Sequence, residues 1–360
     1  MRIASFLLPV LCLVQIAQGA TLPVFALDET QVAPNVYVFA ENDRHGIVSG
    51  TVTVVIGADS VLVFDTTHRV SSAKQIIAAI KKKTNKPVRF IVNSHWHEDH
   101  WTGNGTFAAA FPAATFYAHP FTADMIAKRQ TTFRGQHCKE ELAAEYPALR
   151  KQLASGKRDD GTVLSEAGIA FRKQLIGELD AQTSECDAMV YRGSDVTFAQ
   201  QIAFDLGGRS AQVMYLGRAN TAGDVIAYLP DDKILLTGDL VVAPFPFATQ
   251  SYIREWAAVL DQLMTIDATT IVPGHGPIMH DKQYIADLAT LLHSVSAQVH
   301  AIYKPGMTTE DVRGYIDIKS IRAKFVGDDP FIAGNFDYMV LQLAVERAVQ
   351  EEQGALKPEG

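Results

Sequence analysis

Between Ser94 and Trp101 the chain reads Ser-His-Trp-His-Glu-Asp-His-Trp, so His95, His97, Asp99 and His100 place three imidazoles and a carboxylate within six consecutive residues. Strand alternation would set His95, His97 and Asp99 on one side and leave His100 off it, so a regular strand cannot gather all four, and no helix face does so either. A loop leaving a strand can. The segment before it, Val88-Arg89-Phe90-Ile91-Val92-Asn93, has the apolar, β-branched character of a buried strand. The cluster is therefore expected at a strand's carboxyl end, where ligands of α/β sheets meet a crevice. One or two such histidines would read as a surface loop. Imidazole and carboxylate at this density suit a borderline ion such as zinc, or another divalent metal.

Around that motif the hydrophobic pattern is mixed. Val36–Phe39, Val52–Ile56 and Val61–Phe64 read as short strands, with Gly57-Ala58-Asp59-Ser60 as a hairpin turn. A helix carrying Ile76, Ile77 and Ile80 ends in Lys81-Lys82-Lys83, where cations suit the helix dipole. The second half repeats the style, with strands at 212–216, 225–229, 234–236 and 270–272, a helix near 253–264 and a long one carrying Ile285 to Ile302 at helical spacing. Between Thr122 and Val190 the pattern turns to charge-rich helical sequence, an expected insertion that either caps the metal crevice or only extends the core. A further amphipathic helix is expected from about Asn335, before a flexible tail at 351–360. Periodicity alone says α/β.

Three later segments fall in an informative order: Gly217-Arg218-Ala219-Asn220-Thr221-Ala222-Gly223-Asp224, Leu236-Thr237-Gly238-Asp239 and Ile271-Val272-Pro273-Gly274-His275-Gly276. Together with His-x-His-x-Asp-His they resemble the motif series of the metallo-β-lactamase superfamily, over most of the chain from Val36 to Ile302. The resemblance implies a four-layer αββα sandwich with a helical insertion at about 122–190, forming one domain over 20–350. It also implies one or two Zn2+ ions. By position, His95 and His97 would serve a first metal, Asp99, His100 and His275 a second, and Asp239 would bridge them, with Asp99 also orienting water and handling protons as the catalytic carboxylate. Aspartate at 239 is more similar to the thioesterase and phosphodiesterase branches than to the zinc β-lactamases, which usually have cysteine or serine there.

One position departs from the pattern. Where the resemblance places the first metal's third histidine, this chain has Asn220, whose neutral amide oxygen is a weaker donor to zinc than imidazole. A lopsided two-metal hydrolase, an enzyme using the second metal alone and a degenerate zinc-binding protein all follow from that change. The superfamily hydrolyses lactams, thioesters, lactones, phosphodiesters and sulfate esters, so fold alone names no substrate. The expectation is a hydrolase of a small ester, thioester or amide, with a β-lactamase and a non-catalytic zinc-binding protein as alternatives.

Composition narrows the partners. Met1-Arg2 followed by an apolar run to Ile16 and small residues at Ala17-Gln18-Gly19 reads as a signal peptide over 1–19, hence an exported, periplasmic or secreted protein without a stable membrane anchor. With 40 acidic against 32 basic side chains and no basic stripe, nucleic acid is an unsuitable partner. A small-molecule substrate is expected, and oligomeric state is not legible. Cys138 and Cys186 both fall in the insertion, where a staple between them is plausible. His119 is expected as a hydrogen-bonded core residue and Asp65 as an acceptor near the metal loop. His45, His68 and His137 could face the crevice, and Trp96, Trp101, Phe245, Phe247 and Tyr252 could line a pocket or simply be buried.

Overall fold

The computed structural model describes residues 26–41, 49–130, 135–158, 161 and 163–356. The expected signal segment, His45 and residues 357–360 of the expected tail lie outside them, as does the side chain of His137.

Among the described residues the strands form two sheets. The first holds, in spatial and chain order, β1 (Leu27–Ala33), β2 (Val36–Glu41), β3 (Val52–Ile56), β4 (Val61–Phe64), β5 (Val88–Val92), β6 (Thr115–Ala118) and β7 (Val196–Thr197). Its first four strands run antiparallel, whereas β4 to β7 are parallel. The second sheet comprises β8 (Gln201–Asp205), β9 (Ser210–Tyr215), β10 (Val225–Leu229), β11 (Ile234–Leu236) and β12 (Thr270–Val272), antiparallel except for the β11–β12 pair.

Period-two alternation decides how these sheets stack. In β4, Leu62 and Phe64 face the core between the sheets, while Val61 and Val63 face outward onto α1 (Val70–Lys83) with its buried Ile76, Ile77 and Ile80. In β11, Ile234 and Leu236 meet that same central core, and Leu235 turns outward to a helical layer. Both faces of these strands are buried, which is why they read as continuous apolar runs. The result is the αββα sandwich.

Short α2 (Glu98–Trp101) and α3 (Asn104–Ala110) follow β5, and α4 (Pro120–Lys128), α5 (Gly135–Ser155) and α6 (Glu166–Glu185) lie between β6 and β7. Cys138 and Cys186 are disulfide-bonded, with Cα atoms 5.8 Å apart. The bond sits in a small apolar cluster with Leu179, Met189 and Val70, and Glu185 accepts the Ser71 backbone N–H. The insertion is thus docked on the start of α1. On the other side, α7 (Ile253–Thr265) buries Ile253, Trp256, Leu260 and Leu263 at helical spacing against α8 (Gln283–Ile302). Then come α9 (Thr309–Arg313), α10 (Lys319–Val326) and α11 (Pro330–Asp337), which leads through a π-helical segment, Tyr338–Ala344, into α12 (Val345–Glu352). This last helix runs two residues into the stretch expected as tail, because Glu352 pairs with Arg254 and His300.

Edge strands β1, β7 and β8 and helices α9 and α10 carried little periodic signal. Being half-exposed or short, they lack the apolar runs that mark the central strands.

Candidate metal centre

Parallel register brings the motif segments together. Phe64 pairs with Val92 and Leu236 pairs with Val272, so Asp65 and the 93–97 loop leave the first sheet side by side, while Asp239 and His275 each follow three residues beyond a paired position in the second. The Val225 N–H donates to Ser94 O at 2.9 Å and the Thr51 N–H to Gly274 O at 2.8 Å, closing the two sheet ends over one crevice. The anticipated loop ends in a single helical turn, α2, which carries Asp99 and His100.

Two donor sets result. In the first, His95 Nε2 and His97 Nδ1 are 2.9 Å apart, and Asp239 Oδ2 lies 3.5 and 3.9 Å from them. In the second, Asp99 Oδ2 is 2.9 Å from His275 Nε2 and 3.2 Å from His100 Nε2. Asp239 Oδ1 faces the same pair, 3.2 Å from His100 Nε2 and 3.5 Å from His275 Nε2. Asp239 therefore divides its two oxygens between the sets. Donors about 2.1 Å from one tetrahedral ion stand about 3.4 Å apart, so this spacing fits divalent metal. A second observation agrees: His100 Nε2 and Asp239 Oδ1, though 3.2 Å apart, are buried without hydrogen-bond geometry to each other or to another group, as suits atoms aimed at a shared ion rather than at one another.

Asn220 is 1% exposed. Its Nδ2 donates to Phe247 O at 2.5 Å. Only the amide nitrogen can donate to a carbonyl, so that bond identifies Oδ1, which is buried and carries no hydrogen bond.

Outer contacts orient the imidazoles. Asp65 accepts from the Ser94 N–H and Oγ–H, both at 2.7 Å, and from His100 Nδ1–H at 2.8 Å. Ser94 Oγ also lies 3.0 Å from His95 Nδ1. One carboxylate thereby steers a nitrogen of each set toward the crevice. Space is made by glycine: a Cβ on Gly50 would stand 2.5 Å from His100 Cε1, and one on Gly274 would stand 2.1 Å from Asp239 Oδ1.

The sets differ in their hold on protons. Burial works against the charged forms of Asp239 and Asp99, but His100 and His275 overcome it and keep both carboxyls well below the usual range. Burial likewise opposes charge on His100, and Asp99, Asp239 and Asp65 overcome it, raising that imidazole well above its ordinary value. His95 goes the other way, pushed down to about 3 by burial and by His100. His68 is also lowered, to about 4, by burial.

Other candidates fall outside. His119 stacks on Tyr215 with ring centroids 4.3 Å apart and caps α4 by accepting from the Phe121 N–H. Trp96, Trp101, Phe245 and Tyr252 are buried, whereas Phe247 sets its ring edge-on to His97 at 5.7 Å between centroids. Gln250, whose Oε1 lies 3.1 Å from His97 Nε2, had no sequence signal: it is 153 residues away, in a loop without a motif.

The family described as the metallo-beta-lactamase superfamily matches residues 45–275, well over half of the chain. A linear primary-alkylsulfatase of Pseudomonas sp. (strain ATCC 19151) is 19% identical over 249 residues, 67% of this chain, and the chain spans only 44% of that protein's length. Among solved structures, a metallo-beta-lactamase from Pontibacter korlensis aligns with a TM-score of 0.51 at 21% identity, covering 74% of this chain and 99% of its own. A stereoselective inverting sec-alkylsulfatase from Pseudomonas sp. aligns with a TM-score of 0.60 at 14% identity, covering 93% of this chain and 52% of its own. At these identities the structural likenesses speak for the fold.

Proposed function

The chain belongs to the metallo-beta-lactamase superfamily, a hydrolase-type family, and we propose that within it this protein is a metal-dependent hydrolase of a small ester, thioester or amide. The observation that carries this reading is the division of Asp239 between two donor sets, Oδ2 toward His95 and His97 and Oδ1 toward His100 and His275. His95, His97 and Asp239, with Asn220 Oδ1 as a weak fourth donor, would hold one ion. Asp99, His100, His275 and Asp239 would hold the other. When bound, zinc in such a set lowers the pKa of water toward about 7 and polarises an oxygen of the scissile group as a Lewis acid.

The chain's own groups supply the remainder. Asp99 is the most solvent-accessible of the six His and Asp donors, its side chain 16% exposed, and its carboxyl is held ionised. It can orient an attacking water, accept its proton and pass that proton to the leaving group. Buried Trp96 and half-buried Phe247, both edge-on to His97, limit water on the first-set side.

A second reading, hydrolysis of an alkyl sulfate ester, is favoured by the alkylsulfatase relative. A cavity of about 710 Å³, lined in part by apolar Val38, Pro244, Ile278 and Phe325 and in part by Glu41 and Lys324, begins at Gly276, one residue beyond His275, and none of the six donors lines it. Activity of the zinc-loaded protein against a nitrophenyl ester, a thioester, a chromogenic cephalosporin and a linear alkyl sulfate separates the readings. Chelator-sensitive, zinc-restored turnover of the ester or thioester is expected. Turnover of the sulfate alone would move the assignment to that class, turnover of the lactam alone to β-lactamase. Two bound ions without turnover of any substrate would leave the non-catalytic zinc-binding alternative.

A further inference from the structure

The loop from Val241 to Tyr252 touches the first donor set at His97 and also holds Asn220. Phe247 O receives the Asn220 Nδ2–H, and three residues on, Gln250 Oε1 sits 3.1 Å from His97 Nε2. An amide oxygen has no proton to give, so this contact makes His97 Nε2 the N–H and leaves Nδ1 as the lone pair that faces His95 Nε2. The Thr249 hydroxyl donates to the same Gln250 oxygen, consistent with that orientation of the amide.

What holds the loop lies far along the chain. Arg347 of α12, 7% exposed, donates from Nε to Ser251 O at 2.8 Å and from Nη2 to Gln250 O at 2.9 Å. Its Nη1 donates to Gln350 Oε1 at 3.0 Å. A buried guanidinium is costly unless its donors are used, and here its planar fork meets two consecutive backbone carbonyls, which a lysine could not match. The π-helical segment before α12 widens the helix and changes the phase at which Arg347 is presented. Arg347 lies outside residues 45–275, the span shared with the family.

Resting on the reading that these sets bind metal, we propose that Gln250 is the positioning residue of the first donor set and Arg347 its anchor, so that the C-terminal helix helps to build the metal centre. Asn220 and His97 are then organised by one loop. That arrangement offsets a weaker donor with a more rigid surround.

The test is zinc titration of the full chain in competition with a chromophoric chelator, alongside cobalt(II) absorption. The natural protein should show two unequal events. Gln250→Met should weaken the weaker event by about 10–100-fold, as loss of an outer-shell partner does, and leave the tighter one within about twofold. Gln250→Glu, which keeps an acceptor oxygen, should restore it together with the natural cobalt spectrum. Arg347→Met should weaken the same event by a smaller factor, and the Gln250 pair decides the matter if that variant does not fold. The proposal is overturned if Gln250→Met leaves the weaker event unchanged, weakens both events equally, or is not rescued by Gln250→Glu. Absence of any zinc uptake by the natural protein would end the metal reading itself, before any variant is compared.

Discussion

The two donor sets share Asp239 and are otherwise built on different plans. The second takes Asp99 and His100 from one helical turn and His275 from the end of β12, so with Asp239 it has two imidazoles and two carboxylates. The first has His95, His97 and the other oxygen of Asp239, and Asn220, which the family resemblance assigns to that set, has a buried Oδ1 without a hydrogen bond. Charge follows composition, since His100 is raised well above its ordinary value and His95 is lowered to about 3. The departure at Asn220 leaves both His/Asp sets assembled, and the loop carrying Phe247 and Gln250 contacts Asn220 and His97.

Removing a donor from the stronger set should have the largest effect. His100→Ala or His275→Ala should abolish the tighter zinc event and reduce hydrolysis by well over the roughly 10–100-fold typical of outer-shell changes. His95→Ala should act mainly on the weaker event. If both substitutions weakened the same event, the sets would not be distinct.

Asp65→Asn attacks the contrast from beneath, because Asp65 accepts from His100 directly and reaches His95 through Ser94. Both events should weaken, each by about 10–100-fold, as read by chelator competition. Loss confined to one event would show that Asp65 serves that set alone.

Asn220→His should sharpen the comparison in the other direction. An imidazole in place of the amide should tighten the weaker event by about tenfold or more, given the preference of zinc for nitrogen donors. Two events already equal in the natural chain, and unmoved by Asn220→His, would place residue 220 away from the ion.

The smallest effect on metal is expected from Cys138→Ser with Cys186→Ser. Thermal or denaturant unfolding should register a loss of about 2–4 kcal/mol, while the ratio of the two zinc affinities stays within about twofold. A changed ratio would mean that the insertion reaches the donors through Val70 and His68.

Much of the clustering of His and Asp side chains was legible because those residues lie in compact motifs. The strand before His95, the strands ending at Leu236 and Val272, and the helices packed outside them all carried clear periodic signals. The insertion's helices were visible too, and so was the departure at Asn220. Illegible parts were those with ordinary residue types in ordinary sequence. Gln250 and Arg347 look like surface polar residues until the fold places them, 153 and 250 positions from His97. The expected choice between a cap and a peripheral helical pair likewise turned on contacts: the insertion docks through Cys186, Glu185 and Val70 on α1.

By itself, the sequence determined the chemistry available: three imidazoles and a carboxylate in six residues, a further aspartate and histidine in short glycine-rich motifs, and an amide at Asn220 where the family resemblance would place an imidazole. Its periodicity determined an α/β fold, and the αββα layering was legible only through the resemblance of its motifs to the metallo-β-lactamase superfamily. Which atoms meet was decided by tertiary structure. Parallel register of β11 with β12 brought Asp239 beside His275, pairing of β4 with β5 put Asp65 under the histidine loop, and α12 delivered Arg347 to the Gln250 carbonyl. The physical reason is range. Periodicity and local spacing act over a few residues, whereas hydrogen bonds that fix an imidazole's tautomer depend on positions to within a few tenths of an ångström between segments far apart in the chain.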